Sequence, residues 1–162
     1  MPHLRSDTAG RVIKATAARV YHALIDKAQF ALWIAPQGAQ ASINAFDPRP
    51  GGSLNITLTF DRMGRGKTTA NTDTMKGRFL ELQMDRFVSQ MFEFESPEPD
   101  LAGNMTMTWK LTPVAGGTAV EVVADNVPAG ISKEDHRIGM ESSLANLAKL
   151  VEDGAAEPIP KL

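Results

Sequence analysis

Between Ser132 and Asp153 the chain carries a pattern that one kind of element satisfies. Met140, Leu144, Leu147 and Val151 recur at steps of four, three and four, which lays them along one stripe of an α-helix. Ala148 and Leu150 widen the stripe, while Glu141, Ala145, Lys149 and Glu152 fall on the other side. Ser132, followed by Lys133, Glu134 and Asp135, reads as the N-cap. Its hydroxyl takes an orphan backbone N–H, and the acids suit the positive end of the helix dipole. Ile138 has no place in this scheme. Burying the four stripe residues contributes at most about 6–12 kcal/mol, at about 1.5–3 each. So much apolar face must lie on something, and the preceding sequence supplies one large partner, a sheet.

Residues 1–9 read as a poorly ordered lead-in, and Arg11-Val12-Ile13-Lys14-Ala15 as a short strand. Thr16 is a cap for a helical rhythm from Ala17 to about Ile34, which Asp26-Lys27 splits into two short helices and Pro36 and Gly38 end. The period then changes to two. Ala41–Phe46 alternates, Asp47–Gly52 is a proline- and glycine-rich turn, and Leu54, Ile56, Leu58 and Phe60 share one face of the next strand. Asp61–Asn71 is a polar loop. Asp73–Leu82 and Arg86–Glu95 flank Gln83-Met84-Asp85 as a hairpin, with a shift of apolar register at Phe79 and Leu80 that predicts a bulge. Met105, Met107, Trp109 and Leu111 alternate with polar neighbours, and Gly116-Gly117 turns the chain into a last strand with Val120, Val122 and Ala124 on one face. Consecutive strands on short turns predict a curved antiparallel sheet in an α+β domain.

Composition excludes several partners. A net charge of -2 makes no electrostatic case for nucleic acid or an anionic membrane. No run reaches the length of a membrane span, and the first residues lack the apolar core of a signal peptide. With no cysteine, disulfides, thiolate metal sites and cysteine nucleophiles are out. A cytoplasmic protein is expected, with one domain over 1–162, its core at about 10–153 and a loose tail at 154–162.

The order of elements, together with Ala15-Thr16-Ala17-Ala18-Arg19-Val20-Tyr21, Trp33-Ile34-Ala35-Pro36, Phe46–Gly52, Gly77–Leu82, Met105–Trp109, Gly117-Thr118 and the run from Asp135-His136 to Leu147, resembles the START-like or SRPBCC superfamily. Within it the chain is similar to bacterial homologues of the heat-shock-protein-90 ATPase activator. The resemblance implies a helix-grip fold of about six or seven strands wrapped round the C-terminal helix, with two short helices after strand 1 closing one end. It also implies an apolar cavity between sheet and helix, of the kind that holds lipids, sterols, plant hormones or polyketides in this superfamily. The co-chaperone after which the branch is named uses an additional domain, for which no room is expected in this chain.

The residues placed to line such a cavity are Trp33, Phe46, Met75, Phe79, Phe92, Met107, Trp109, His136, Met140, Ser143 and Leu144. Methionine suits an adaptable pocket and an ordinary core equally. His136, one turn before Met140 at the edge of the stripe, either orients a ligand or moves a proton, or is a surface histidine bonded to the nearby loop. His3, His22 and His136 share no face with one another at ligand spacing, so no metal is expected. Gly64–Thr69 looks like a phosphate loop, but the pattern needs a glycine where Asp61 stands. Arg49 reads as a turn residue paired with Asp47. Glu93 and Glu95 point away from Phe92 and Phe94, and Ser142 and Ser143 lack the third member of a triad with His136.

The expectation is thus a small protein, monomer or homodimer, that binds an apolar molecule with no cofactor and no catalytic residue. The alternatives are a cyclase- or dehydratase-like enzyme using His136, and a module acting on a chaperone. The outward Thr57, Thr59, Thr106 and Thr108 are too neutral to favour the last.

Overall fold

The computed structural model describes residues 5–36, 38–61, 66 and 68–152. The elements run β1 (Ser6–Ile13), α1 (Ala17–Ile25), α2 (Lys27–Trp33), β2 (Ala39–Phe46), β3 (Ser53–Phe60), β4 (Thr72–Gln83), β5 (Phe87–Phe94), a 3-10 turn at Pro99–Leu101, β6 (Met105–Val114), β7 (Gly117–Asp125) and α3 (Lys133–Glu152). Among the described residues seven strands form one sheet, ordered β1-β7-β6-β5-β4-β3-β2, with each neighbouring pair antiparallel. β2 to β7 form a meander, and β1 adds to β7, so the first and last strands are neighbours. Because β1 and β2 are opposite edges, α1 and α2 carry the chain across the sheet.

The local signals act as expected. Thr16 Oγ1 accepts from Arg19 N at 3.1 Å, and Asp26 Oδ2 accepts from Gln29 N at 3.0 Å, so Asp26 ends α1 and caps α2. Ser132 Oγ accepts from Asp135 N at 2.9 Å at the start of α3. Leu54, Ile56, Leu58 and Phe60 of β3, and Val120, Val122 and Ala124 of β7, are buried on the inner face. On α3, Met140, Leu144, Leu147, Ala148 and Val151 are buried, while Ile138 is 52% exposed. The residue outside the stripe therefore faces solvent.

The sheet starts earlier than the pattern indicates. β1 begins at Ser6, inside the supposed lead-in, and ends at Ile13, after which Ala15 N turns back to Ile13 O. Asp7, Ala9 and Arg11 share the face that pairs with Ala124, Val122 and Val120. Asp7 is buried there while Arg11 is exposed, so no apolar alternation marks the strand, and charge on an edge strand also discourages pairing with another chain. α3 runs beside this strand: His136 meets Asp7 near both starts, and Glu152 Oε2 accepts from Lys14 N at 2.8 Å near both ends. The match is geometric, since eight residues of strand span about 26 Å and twenty of helix about 30 Å. α3 therefore grips one side of the sheet and packs closely on β1, α1 and α2.

β4 and β5 lose register between Phe79 and Glu81, the expected bulge, and a second shift at Ile43/Ala45 bends β2. Gly77, opposite Phe92, sits where a Cβ would strike the Met91 carbonyl of the neighbouring backbone. Positions 62–65 and 67 of the polar loop lie outside the described residues, and with them half of the glycine–lysine motif, as do His3 and the tail.

The Gly77→Ala variant is expected to lose about 1–3 kcal/mol of stability, because backbone rather than a flexible side chain blocks the methyl. A urea melt measures it, and an unchanged midpoint would mean that β4 and β5 separate freely there.

Candidate functional site

Strand pairing sets one row of side chains across the inner face. Phe79 stands opposite Gln90, Gln90 opposite Met107, Met107 opposite Ala124, and Ala124 opposite Asp7. One end of the row is aromatic, the centre holds a carboxamide, and the other end is charged.

At the aromatic end the rings pack on one another. Trp33 meets Trp109 edge-on with centroids 4.9 Å apart, Phe30 joins Trp33 at 5.1 Å to Phe46 at 5.4 Å, and Phe46 continues to Phe79 at 5.3 Å. Such contacts each add about 0.5–1.5 kcal/mol beyond area burial. Both indole N–H groups are satisfied, Trp33 Nε1 donating to Ala23 O at 2.8 Å and Trp109 Nε1 to Gln90 Oε1 at 3.0 Å. Of the expected lining residues, Trp33, Phe46, Phe79 and Trp109 thus form one continuous wall with Phe30. Met75 and Phe92 are buried on the sheet, and Met140 and Leu144 on α3.

Met107 behaves differently. Met105 and Trp109, on the same face of β6, are 3% and 1% exposed, yet Met107 between them is only half-buried. At the β2 edge Ile43 and Phe46 are half-buried too. The covered face of the sheet is reached from outside at both places.

Ser143 lies in the expected region, but its hydroxyl donates to Ile34 O at 2.8 Å, and Asn146 Nδ2 donates to Ala35 O at 2.8 Å. These carbonyls follow α2 and have no partner within it, so α3 caps α2 with two side chains.

At the charged end, Asp7 is 3% exposed and holds two cations and an imidazole: Arg5 Nη2 at 2.7 Å, Lys133 Nζ at 2.9 Å and His136 Nδ1 at 2.7 Å. Burial pushes the carboxyl's pKa up, but hydrogen bonds from Arg5, His136 and Lys133 outweigh it and hold Asp7 well below the usual carboxylate range. An ionised carboxylate only accepts, so Nδ1 of His136 donates to it. The cluster ties the first residues of β1 to the first turn of α3.

The expected lining omits Phe30, Gln90, Asp7 and Asn146. Gln90 was within reach, because it shares the phase of Phe92 and Phe94 on β5. Asp7 left no signal. Asp73 is also buried at an inward position, opposite Leu58. Two clefts, of about 480 and 390 Å³, open around Arg86, Leu111 and Thr112 and share no residue with the expected lining. Among the described residues no group of three or more His, Asp or Glu could hold a metal ion, and no helix is long and apolar enough to cross a membrane.

A seven-stranded antiparallel sheet gripping a C-terminal helix, with two short helices at one end, defines a START-like, helix-grip protein. The chain belongs to the family described as activator of Hsp90 ATPase homolog 1-like protein, whose model matches residues 14–152. A crystal structure from Chromobacterium violaceum is similar to it at TM-score 0.80 and 28% identity, over 91% of this chain and 96% of that one. One from Rhodobacter sphaeroides has TM-score 0.75 at 18% identity, over 96% of this chain and 100% of the other. A solution structure from Staphylococcus epidermidis has TM-score 0.72 at 18% identity, over 100% and 98%. Among curated proteins none matches the sequence.

Asp7→Asn is expected to cost about 3 kcal/mol at neutral pH, the scale of removing one partner from a buried charge cluster. The folded carboxyl titrates below its unfolded value of 3.8. Its contribution is therefore complete above about pH 4 and is lost as the pH falls beneath that. Denaturant melts at pH 7 and pH 3 should show the gap between variant and parent shrinking at pH 3. A gap that does not depend on pH would remove the electrostatic account.

Proposed function

We propose that this protein binds a small, largely apolar molecule between the inner face of the sheet and α3, without covalent chemistry. The observation that carries the reading is Met107, half-buried in the covered face of a central strand whose neighbours on either side are closed. A thioether there adapts to a guest more readily than a branched side chain does. The wall of Trp33, Phe46, Phe79 and Trp109 offers a flat apolar boundary beside it. We take the protein to act in the cytoplasm, as monomer or homodimer.

One observation favours a second reading, an acid–base enzyme. Asp7 fixes the ring of His136 through Nδ1, as an orienting carboxylate would. Yet Arg5 and Lys133 share the same carboxylate, and the set fastens β1 to α3, so the arrangement suits a clasp better than a proton relay. A third reading takes its lead from the family description and would have the protein stimulate a chaperone. The outer face of the sheet gives it little help: Thr57 pairs with Asn44 and Ser89 with Thr108, neutral groups satisfied among themselves.

Titration with N-phenyl-1-naphthylamine, a neutral fluorescent dye, tests the first reading. One saturable site per chain is expected, with energy transfer from the tryptophans. A Kd below about 200 µM corresponds to about 0.3 kcal/mol per non-hydrogen atom. Native mass spectrometry of protein taken from its own cells should show an added mass. No saturable binding and no adduct would end the proposal.

A further inference from the structure

We infer that Gln90 is the polar anchor of this interior site, and that the molecule it takes is neutral and presents a carbonyl oxygen on an apolar frame. The inference rests on the interior-binding reading above and names its ligand class.

Gln90 is fully buried in the middle of the sheet, at 0% exposure. Its orientation is fixed by chemistry rather than by choice of assignment. An indole N–H is a donor only, so the atom 3.0 Å from Trp109 Nε1 must be the amide oxygen. The amide nitrogen therefore turns the other way, with two N–H donors, and Nε2 has no hydrogen-bond partner among the described residues. Val88 and Phe92 flank it on the same face of β5, and Phe79 and Met107 stand across the strands on either side. None of these side chains offers a strong acceptor. A buried amide donor left unmade is costly, and buried polar groups ordinarily find partners. We take the acceptor to come from a bound molecule, since Met107, the half-open position of this face, is the next residue in the row.

The surroundings limit what that acceptor is. A carboxylate ligand would have to leave water for an apolar wall with one neutral donor pair to receive it, which is strongly unfavourable. The cations nearest in the row, Arg5 and Lys133, lie beyond Ala124 and are already spent on Asp7. A ketone, ester or amide oxygen needs only the donor that Gln90 supplies.

Fluorenone and fluorene test this, because they share one rigid tricyclic frame and differ by a carbonyl against a methylene. The native chain is expected to bind fluorenone about tenfold more tightly than fluorene. Gln90→Met should bring the ratio to about one while leaving fluorene binding in place. Near-UV circular dichroism reports whether that variant is folded, and the native protein gives an independent readout if it is not. There, the Gln90 side-chain amide protons in a nitrogen–proton correlation spectrum should move with fluorenone and not with fluorene. Equal affinities, or amide protons that ignore fluorenone, would overturn the anchor and leave interior binding standing. A water molecule on Nε2 that persists in a fluorenone-bound crystal would do the same. If neither compound binds, both the anchor and the interior site fall.

Discussion

The stripe of α3 lies along β1, and the rest of the molecule follows from how that contact is held. Apolar burial by Met140, Leu144, Leu147 and Val151 supplies the driving force but leaves direction free. Polar contacts supply the direction. Asp7 receives Lys133 and His136 at the head of the helix, Ser143 and Asn146 close the carbonyls after α2 in the middle, and Glu152 takes the Lys14 N–H at the end. Each joins segments distant in sequence, so together they fix how the helix lies.

Laying the helix along an edge strand has a consequence for the opposite half of the sheet. α3 cannot cover the inner faces of β2 to β5 with its own backbone close by, and side chains must fill that space. Phe30, Trp33, Phe46, Phe79 and Trp109 do so as a chain of ring contacts, three edge-on and one tilted. Rings packed this way are stiff, while Met107 beside them is flexible and half-open. A rigid wall next to an adjustable floor is a physical basis for holding a guest, and it is made by the same residues that stabilise the fold.

Helix-grip proteins share this frame across very different sequences, as the 18% identity to the structure from Rhodobacter sphaeroides at TM-score 0.75 illustrates. On a scaffold that hosts many functions the site matters more than the frame, and on this inner face the site's polar groups are few. In this chain Gln90 and the Asp7 cluster are two such groups. They differ in kind. Asp7 is engaged by Arg5, Lys133 and His136 of its own chain, whereas Gln90 has half of its amide turned to a neutral wall.

What could be read from residues alone was what depends on short-range periodicity. The alternation in β3, β6 and β7, the four–three–four stripe of α3, the caps at Thr16 and Ser132, the break at Asp26, and the bulge at Phe79 all express local geometry, and local geometry is written in neighbouring residues. The apolar lining could be proposed for the same reason. β1 was half missed because the phase of buried Ile13 also holds Asp7, accepted there through its contacts with α3, and Arg11, exposed at the sheet edge, an arrangement that no local pattern encodes. Ser143 looked like a lining residue, yet its hydroxyl is engaged by a carbonyl more than a hundred positions away. Gln90 carried the right phase but no sign that its oxygen, and not its nitrogen, would be used. Tertiary structure alone decided these points, because hydrogen bonds and charge pairs between remote segments are set by where the chain brings them, while apolar burial follows the rhythm of the sequence itself.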